Sequence, residues 1–212
     1  LADWVLEKYP KMKEVGEPIT LSSGELIYRP GIVHRIDRET SGILVLAKNQ
    51  KAFDALKEQF QNREVKKVYH AFVYGEIKED DGVIDRPIGR SSKDFRMWSA
   101  QRGSRGERRE AVTEYKVLKR TELENKTQAD QGFTFVEARP KTGRTHQIRV
   151  HFKAINHPVV CDKLYAPRRE PALGFDRVAL HSSSITFKLL DGTSQTVEAP
   201  CPADFKAALK EF

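Results

Sequence analysis

Over residues 66–75 the chain alternates without a break: Lys67, Tyr69, Ala71 and Val73 fall on one side, and Val68, His70, Phe72 and Tyr74 on the other. A period of two is the mark of an extended strand with two unlike faces. The same alternation returns at 111–118 and 132–139, and three closing strands are expected at 178–180, 184–190 and 195–198. Asp191-Gly192 between the last two is a hairpin signal. Helical spacing occurs at 51–62, where Phe53, Leu56 and Phe60 recur behind Asn49 or Gln50, and at 142–155, where Ile148, Phe152 and Ile155 follow Thr142 as a cap. Short helices are expected at 3–9 and 202–212. Because the helices fall irregularly among the strands, the expected class is α+β, with a mixed, largely antiparallel β-sheet flanked by helices. No G-x-G-x-x-G is present, and Lys141-Thr142-Gly143-Arg144-Thr145 lacks the glycine spacing of a phosphate-cradling loop.

A chain of 212 residues with 39% apolar content can bury one substantial core, and a single domain over residues 1–212 is expected. The net charge of +7 points to a polyanionic partner, with nucleic acid first. Residues 99–110 set Arg102, Arg105, Arg108 and Arg109 among Gly and Ser, which reads either as a solvated flexible loop or as phosphate contacts that order on binding. Cys161 and Cys201 stand alone, without zinc spacing, and point to a reducing cytosol. His146 and His151 are five apart and do not share a helix face, so hydrogen-bonding or nucleic-acid-contact roles outweigh ligation and no metal is expected. No apolar run matches a membrane span and no signal pattern opens the chain, so a soluble, cytoplasmic protein is expected, with a monomer as the default where the sequence leaves oligomeric state open.

The run G-I-V-H-R-I-D-R-E-T-S-G from Gly31 to Gly42 places the carboxylate of Asp37 between basic residues on a connection that leads into the apolar run Ile43-Leu44-Val45-Leu46-Ala47, expected to be a buried strand. Alone, such a turn also reads as a surface salt bridge to Arg35 or Arg38. Two further stretches supply what a carboxylate-centred site needs. One is the Lys67-Val68-Tyr69 strand; the other is Arg144-Thr145-His146-Gln147-Ile148-Arg149-Val150-His151. A guanidinium from Arg149 would keep a carboxylate ionised and oriented, and a tyrosine with an apolar residue would bracket a flat base.

Together these stretches resemble the RluA-type RNA pseudouridine synthases. H-R-I-D-R-E-T-S-G is similar to that family's catalytic motif, K-V-Y-H-A-F-V-Y-G to its tyrosine strand, and R-T-H-Q-I-R-V-H to its arginine helix, with weaker echoes in R-P-I-G-R, A-V-T-E-Y-K-V-L and A-L-H-S-S-S-I-T-F. The resemblance implies the pseudouridine synthase catalytic fold and an isomerase without cofactor. It makes Asp37 the catalytic aspartate, Tyr69 the tyrosine against the target base, Arg149 the ion-pair partner of Asp37 and Ile148 an apolar wall. It makes Arg35 the arginine that fills the gap left by a flipped uridine. Lys67, Arg144, His146, Arg102 and Arg105 complete the expected RNA contacts. The catalytic motif resembles large-subunit ribosomal RNA members closely, so that RNA is the expected substrate; transfer RNA, or a catalytically silent RNA-binding or ribosome-assembly protein, are the alternatives. A glycosidase-like hydrolase would ask for a second carboxylate, for which Glu39 is the nearby residue.

Two departures accompany the resemblance. Cys161 stands where the family usually has glycine before the aspartate corresponding to Asp162, suggesting a tolerant backbone there. The family's usual N-terminal strand with its K-P-x-G-type turn, and an upstream S4 module, have no counterpart, so the chain is expected to be a truncated piece or a lineage without them.

Overall fold

The computed structural model describes residues 1–101, 104–121 and 132–212. In chain order the elements are α1 (Ala2–Lys8), β1 (Ile19–Thr20), β2 (Leu26–Ile27), β3 (Ser41–Gly42), α2 (Gln50–Gln61), β4 (Lys66–Tyr74), β5 (Asp81–Asp85), β6 (Ile88–Arg90), β7 (Trp98–Ser99), β8 (Arg105–Arg109), β9 (Val112–Arg120), β10 (Phe133–Pro140), α3 (Gln147–Ala154), β11 (Leu180–Lys188), β12 (Ser194–Glu198) and α4 (Ala203–Ala208). The class is the expected α+β, with mostly antiparallel pairing. No helix among the described residues is long and apolar enough to cross a membrane.

The chain folds as two compact units. The first comprises residues 1–36, 43–66 and 185–197. Its core holds Val5, Met12, Val15, Ala47, Phe53 and Leu56. α2 starts where Asn49 caps it, the side chain accepting the Ala52 N–H at 2.9 Å. The run 43–47, expected to be a strand, has no sheet partner of its own among the described residues. It forms one bridge, Leu46 with Ile32, and Ala47 N–H bonds the Gly31 carbonyl at 2.9 Å. Val45 N–H is taken by His34 Nε2 at 2.8 Å, so a side chain replaces the ladder that periodicity alone implied.

The second unit comprises residues 37–42, 67–184 and 198–212. Its sheet runs β11-β4-β10-β9-β5, with β3 added parallel to β11. β4 is central and buried along its second half, and Ala71, Phe72, Val73 and Tyr74 meet Phe135, Val136, Phe152, Val159 and Phe205 in the main core. Clustered aromatic rings, among them Phe72 stacked on Phe135 at 4.7 Å, fill that space. The first two expected closing strands are one continuous strand, β11. The expected basic loop at 99–110 is only partly a loop, because Arg105–Arg109 pairs with β6 and Arg108 ties down the carbonyls of Pro87 and Ala100.

Candidate active site

The segment 37–42 is held by its two ends. At its start, Thr40 N–H closes a turn on the Asp37 carbonyl at 3.0 Å. At its end, Gly42 has a φ of +104°, and a Cβ there would lie 2.1 Å from the Ser182 carbonyl oxygen, so only glycine lets β3 lie this close to β11. Ser41 donates its hydroxyl to His181 Nδ1 at 2.9 Å, while His181 Nε2 donates to the Ala199 carbonyl at 3.3 Å. Burial pushes the His181 imidazole below its ordinary pKa, which suits this neutral form. Arg177 fixes the Glu39 carbonyl at 3.1 Å. Asp37 is thus displayed from a backbone tied at several points.

Arg149 reaches Asp37 from α3. This helix starts at Gln147 and not at the expected Thr142 because residues 142–146 are occupied by a buried polar network. Thr142 donates to Gln147 Oε1 at 2.6 Å and accepts the Val112 N–H at 3.1 Å, and Arg144 N–H shares the same Oε1 at 3.0 Å. Gln147 Nε2 in turn donates to the Val112 carbonyl and to Thr113 Oγ1, both at 3.0 Å. Thr113 then donates to His151 Nδ1 at 2.9 Å, and His151 Nε2 donates to the Arg86 carbonyl at 3.0 Å. Each of these polar groups has a partner, which is what makes such a buried network specific.

The guanidinium of Arg149 divides its donors. Nη1 meets Asp37 Oδ2 at 2.9 Å, while Nε and Nη2 grip both oxygens of Asp162, at 2.7 and 2.8 Å. The Asp162 side chain is fully buried, and its Oδ1 also accepts the N–H groups of Leu164 and Tyr165. Burial alone would lower the pKa of Arg149, but the ion pairs with Asp162 and then Asp37 outweigh it and hold the group firmly protonated. Its charge lies over the Tyr165 ring at 5.0 Å. Asp37 Oδ1 looks the other way, toward His146 Nε2 at 3.9 Å.

Tyr69 stands on β4 opposite Ala138 of β10. Burial raises its phenol pKa, a Ser182 hydrogen bond opposes this, and the negative charge of Asp37 adds to it. Tyr69 and Asp37 therefore share one electrostatic environment. Lys67, on the same face of β4, has its ammonium disfavoured by burial, and its Nζ would sit 3.7 Å from a Cβ on Gly143.

The RNA pseudouridylate synthase family model matches residues 12–154. The chain belongs to that family. It is 43% identical over 187 residues to the uncharacterized RNA pseudouridine synthase YlyB of Bacillus subtilis (strain 168), covering 88% of this chain and 57% of the relative. It is 40% identical over 156 residues to the dual-specificity RNA pseudouridine synthase RluA of Vibrio parahaemolyticus, covering 74% of this chain and 59% of that one. The solved structure of human RNA Pseudouridylate Synthase Domain Containing 1 superposes with a TM-score of 0.68 at 32% identity, over 80% of this chain and 68% of the human one. The chain spans about half the length of the curated relatives it matches, 57%, 42% and 60% for three of them.

Of the residues singled out in the sequence of this synthase-family chain, Asp37, Arg149 and His146 converge within direct reach, with Tyr69 electrostatically coupled. Ile148 follows Arg149's helix into the main core at 6% exposure. Arg144 is tied through Nε to the Glu110 carbonyl at 3.0 Å, and Arg105 is exposed on β8. Arg35 is exposed and belongs to the first unit, and Arg102 lies outside the described residues. Sequence reasoning passed over Asp162 as a site residue. The available signal was an acid directly after the apolar run His157-Pro158-Val159-Val160-Cys161, where a buried carboxylate needs a cation. Cys161 has a φ of +57° and a buried side chain, a left-handed turn that explains a preference for glycine there and corrects the notion of a tolerant backbone.

Proposed function

We propose that this chain is the catalytic domain of an RNA pseudouridine synthase that isomerises specific uridines, with large-subunit ribosomal RNA as its substrate and Asp37 as its catalytic carboxylate. The observation that carries the reading is the grip of Arg149 on one oxygen of a carboxylate that is 16% exposed, in a chain of this family. The guanidinium, at 2.9 Å from Oδ2, fixes the carboxylate's orientation and aims its second oxygen.

The reaction breaks the bond from ribose C1′ to uracil N1, turns the held base, and joins C5 to C1′. The C5 proton is lost and N1 gains one, so composition is unchanged. Asp37 Oδ1 attacks C1′ or removes the proton next to it, and either route uses one ionised carboxylate while needing neither metal nor redox cofactor. Tyr69 lies against the base, which must leave the RNA stack to be reached. Lys67, Arg144, Arg105, Arg102 and Arg35 supply cationic contacts to the backbone and the vacated stack. The ribosomal assignment rests on the resemblance of G-I-V-H-R-I-D-R-E-T-S-G to members acting on that RNA. The test is incubation of the purified chain with large-subunit ribosomal and transfer RNA transcripts, digestion and chromatography. Pseudouridine in the ribosomal transcript is expected. Pseudouridine only in transfer RNA overturns the substrate, and none in either overturns the activity.

A further inference from the structure

We infer that Phe95, in the turn between β6 and β7, is an RNA-binding residue on which an unpaired base stacks, with Arg90 and Arg105 holding a phosphate beside it. This deepens the proposed function and rests on RNA being the substrate. Phe95 is 82% exposed, yet the turn that presents it is tied down by its own hydrogen bonds. Ser91 Oγ accepts the N–H groups of Lys93 and Asp94 at 3.2 and 3.4 Å. Ser91 N–H donates to the Met97 carbonyl, and Met97 N–H to the Asp94 carbonyl, both at 3.0 Å. Arg96 occupies both oxygens of Asp94, so the acid of this turn does not face a polyanion unpaired. Arg90 Nη1 donates to the carbonyl of Phe95 itself at 3.0 Å. A ring held in water by an already ordered turn loses little further freedom on binding.

A lone exposed phenylalanine means little by itself. The sheet behind it supplies a second, independent observation. Arg90 of β6 pairs with Trp98 of β7 on one side and with Arg105 of β8 on the other, so the three residues form one row. Residues directly opposite one another share a face, and like charges placed there repel. The Arg90 guanidinium covers the Trp98 ring, 4.5 Å from its centroid. Among the described residues no carboxylate pairs with Arg90 or Arg105; Glu107 of β8 lies toward Arg109, at 4.0 Å. A phosphate between the two guanidiniums turns their repulsion into charge-assisted hydrogen bonds. The Phe95 ring then takes the face of a neighbouring base, as aromatic side chains do for bases outside a helix. The same sheet is anchored beside Asp37. Trp98 N–H donates to the Tyr165 hydroxyl at 3.0 Å, and the Tyr165 ring lies under Arg149, the partner of Asp37.

The experiment measures binding of the whole chain to a fluorescent oligocytidine of roughly twelve nucleotides, which has no uridine to isomerise, and to an RNA duplex of the same length. Phe95→Ala is expected to weaken single-strand binding by about 5- to 150-fold, the size of one lost base stack, and to leave duplex binding within about twofold. Phe95→Trp should match wild type and Phe95→Leu should not, since leucine keeps the apolar surface but has no π-face. Arg105→Gln should flatten the dependence of log affinity on log salt by about 0.7, the share of one phosphate in a single strand. Unchanged single-strand binding by Phe95→Ala, an equal loss on the duplex, or Phe95→Leu as good as Phe95→Trp overturns the stacking role. An unchanged salt slope for Arg105→Gln overturns the phosphate contact, and a wild type that binds no single strand overturns both. Pseudouridine formation by wild type on ribosomal RNA, measured alongside, separates the failures. Turnover with unchanged Phe95→Ala binding sinks the stacking role alone, and absent turnover with the Phe95 effect intact sinks the isomerisation alone.

Discussion

Replacing Asp162 by Asn keeps the shape of the side chain and the oxygen that accepts the N–H groups of Leu164 and Tyr165, but removes the charge that takes two of Arg149's donors. One of those two bonds then meets an amide N–H and is lost, and the other becomes a bond to a neutral oxygen. A hydrogen bond to a charged group contributes about 1.5–3 kcal/mol, and breaking a buried pair outright costs about 3–5 kcal/mol. Arg149 keeps Asp37, so the loss falls near the lower figure of the second range, about 3 kcal/mol. For a domain of this size that lowers the melting temperature by roughly 6–12 °C. Asp37→Asn removes a single contact from a half-open carboxylate and is expected to cost less than about 1.5 kcal/mol. Urea denaturation of both variants and of the double variant reads these values, and because both acids share Arg149 the cycle should be non-additive by at least about 0.5 kcal/mol. An Asp162→Asn protein as stable as wild type, or a larger loss for Asp37→Asn, would refute the view that Asp162 is the chief anchor of Arg149.

Gly42→Ala should fold poorly or lose more than about 3 kcal/mol, since its Cβ meets the Ser182 backbone at 2.1 Å; a melting curve like that of wild type would contradict the close approach of β3 and β11. The Thr40 hydroxyl is buried and, among the described residues, without a hydrogen-bond partner, so Thr40→Val should raise stability by up to about 1 kcal/mol, and a loss on thermal unfolding would reveal a missing partner. Burial lowers the pKa of His151 and His181, so the unfolded chain binds protons near pH 6.5 that the native state refuses. Each contribution is present above the ordinary histidine pKa and fades at about 1.4 kcal/mol per pH unit as pH falls below it. His151 faces Thr113 and the Arg86 carbonyl, with the charges of Asp85 and Arg86 nearby; the urea midpoint of His151→Gln should vary less between pH 7 and 5 than that of wild type, and an equal slope would refute the buried neutral form.

Much of the scaffold was legible because period-two alternation at 66–75 and the helical spacing of Phe53 and Leu56 are local signals that tertiary packing reinforced. The run 43–47 shows the limit of that reasoning, since β-branched composition cannot report that His34 will take a backbone N–H. Thr142 failed as a cap for a related reason: its hydroxyl was already committed to Gln147 and β9, a partnership formed across the sheet and invisible to a helix-start rule. At the site, Asp37 and Arg149 were named through family resemblance and meet across 112 residues of chain. Asp162 went unread because what delivers it to Arg149 is a left-handed turn at Cys161, a conformation that a cysteine does not advertise.

If Asp37 drives exchange of the glycosidic bond from N1 to C5, as proposed, the hydrogen on C5 must be expelled. Release of tritium to water from ribosomal RNA labelled at uridine C5, measured for wild type and Asp37→Ala with RNA affinity checked in parallel, tests it most directly. The account predicts release and matching pseudouridine from wild type, and neither from Asp37→Ala, with RNA affinity retained. Undiminished release by Asp37→Ala, or free uracil in place of pseudouridine, would contradict it.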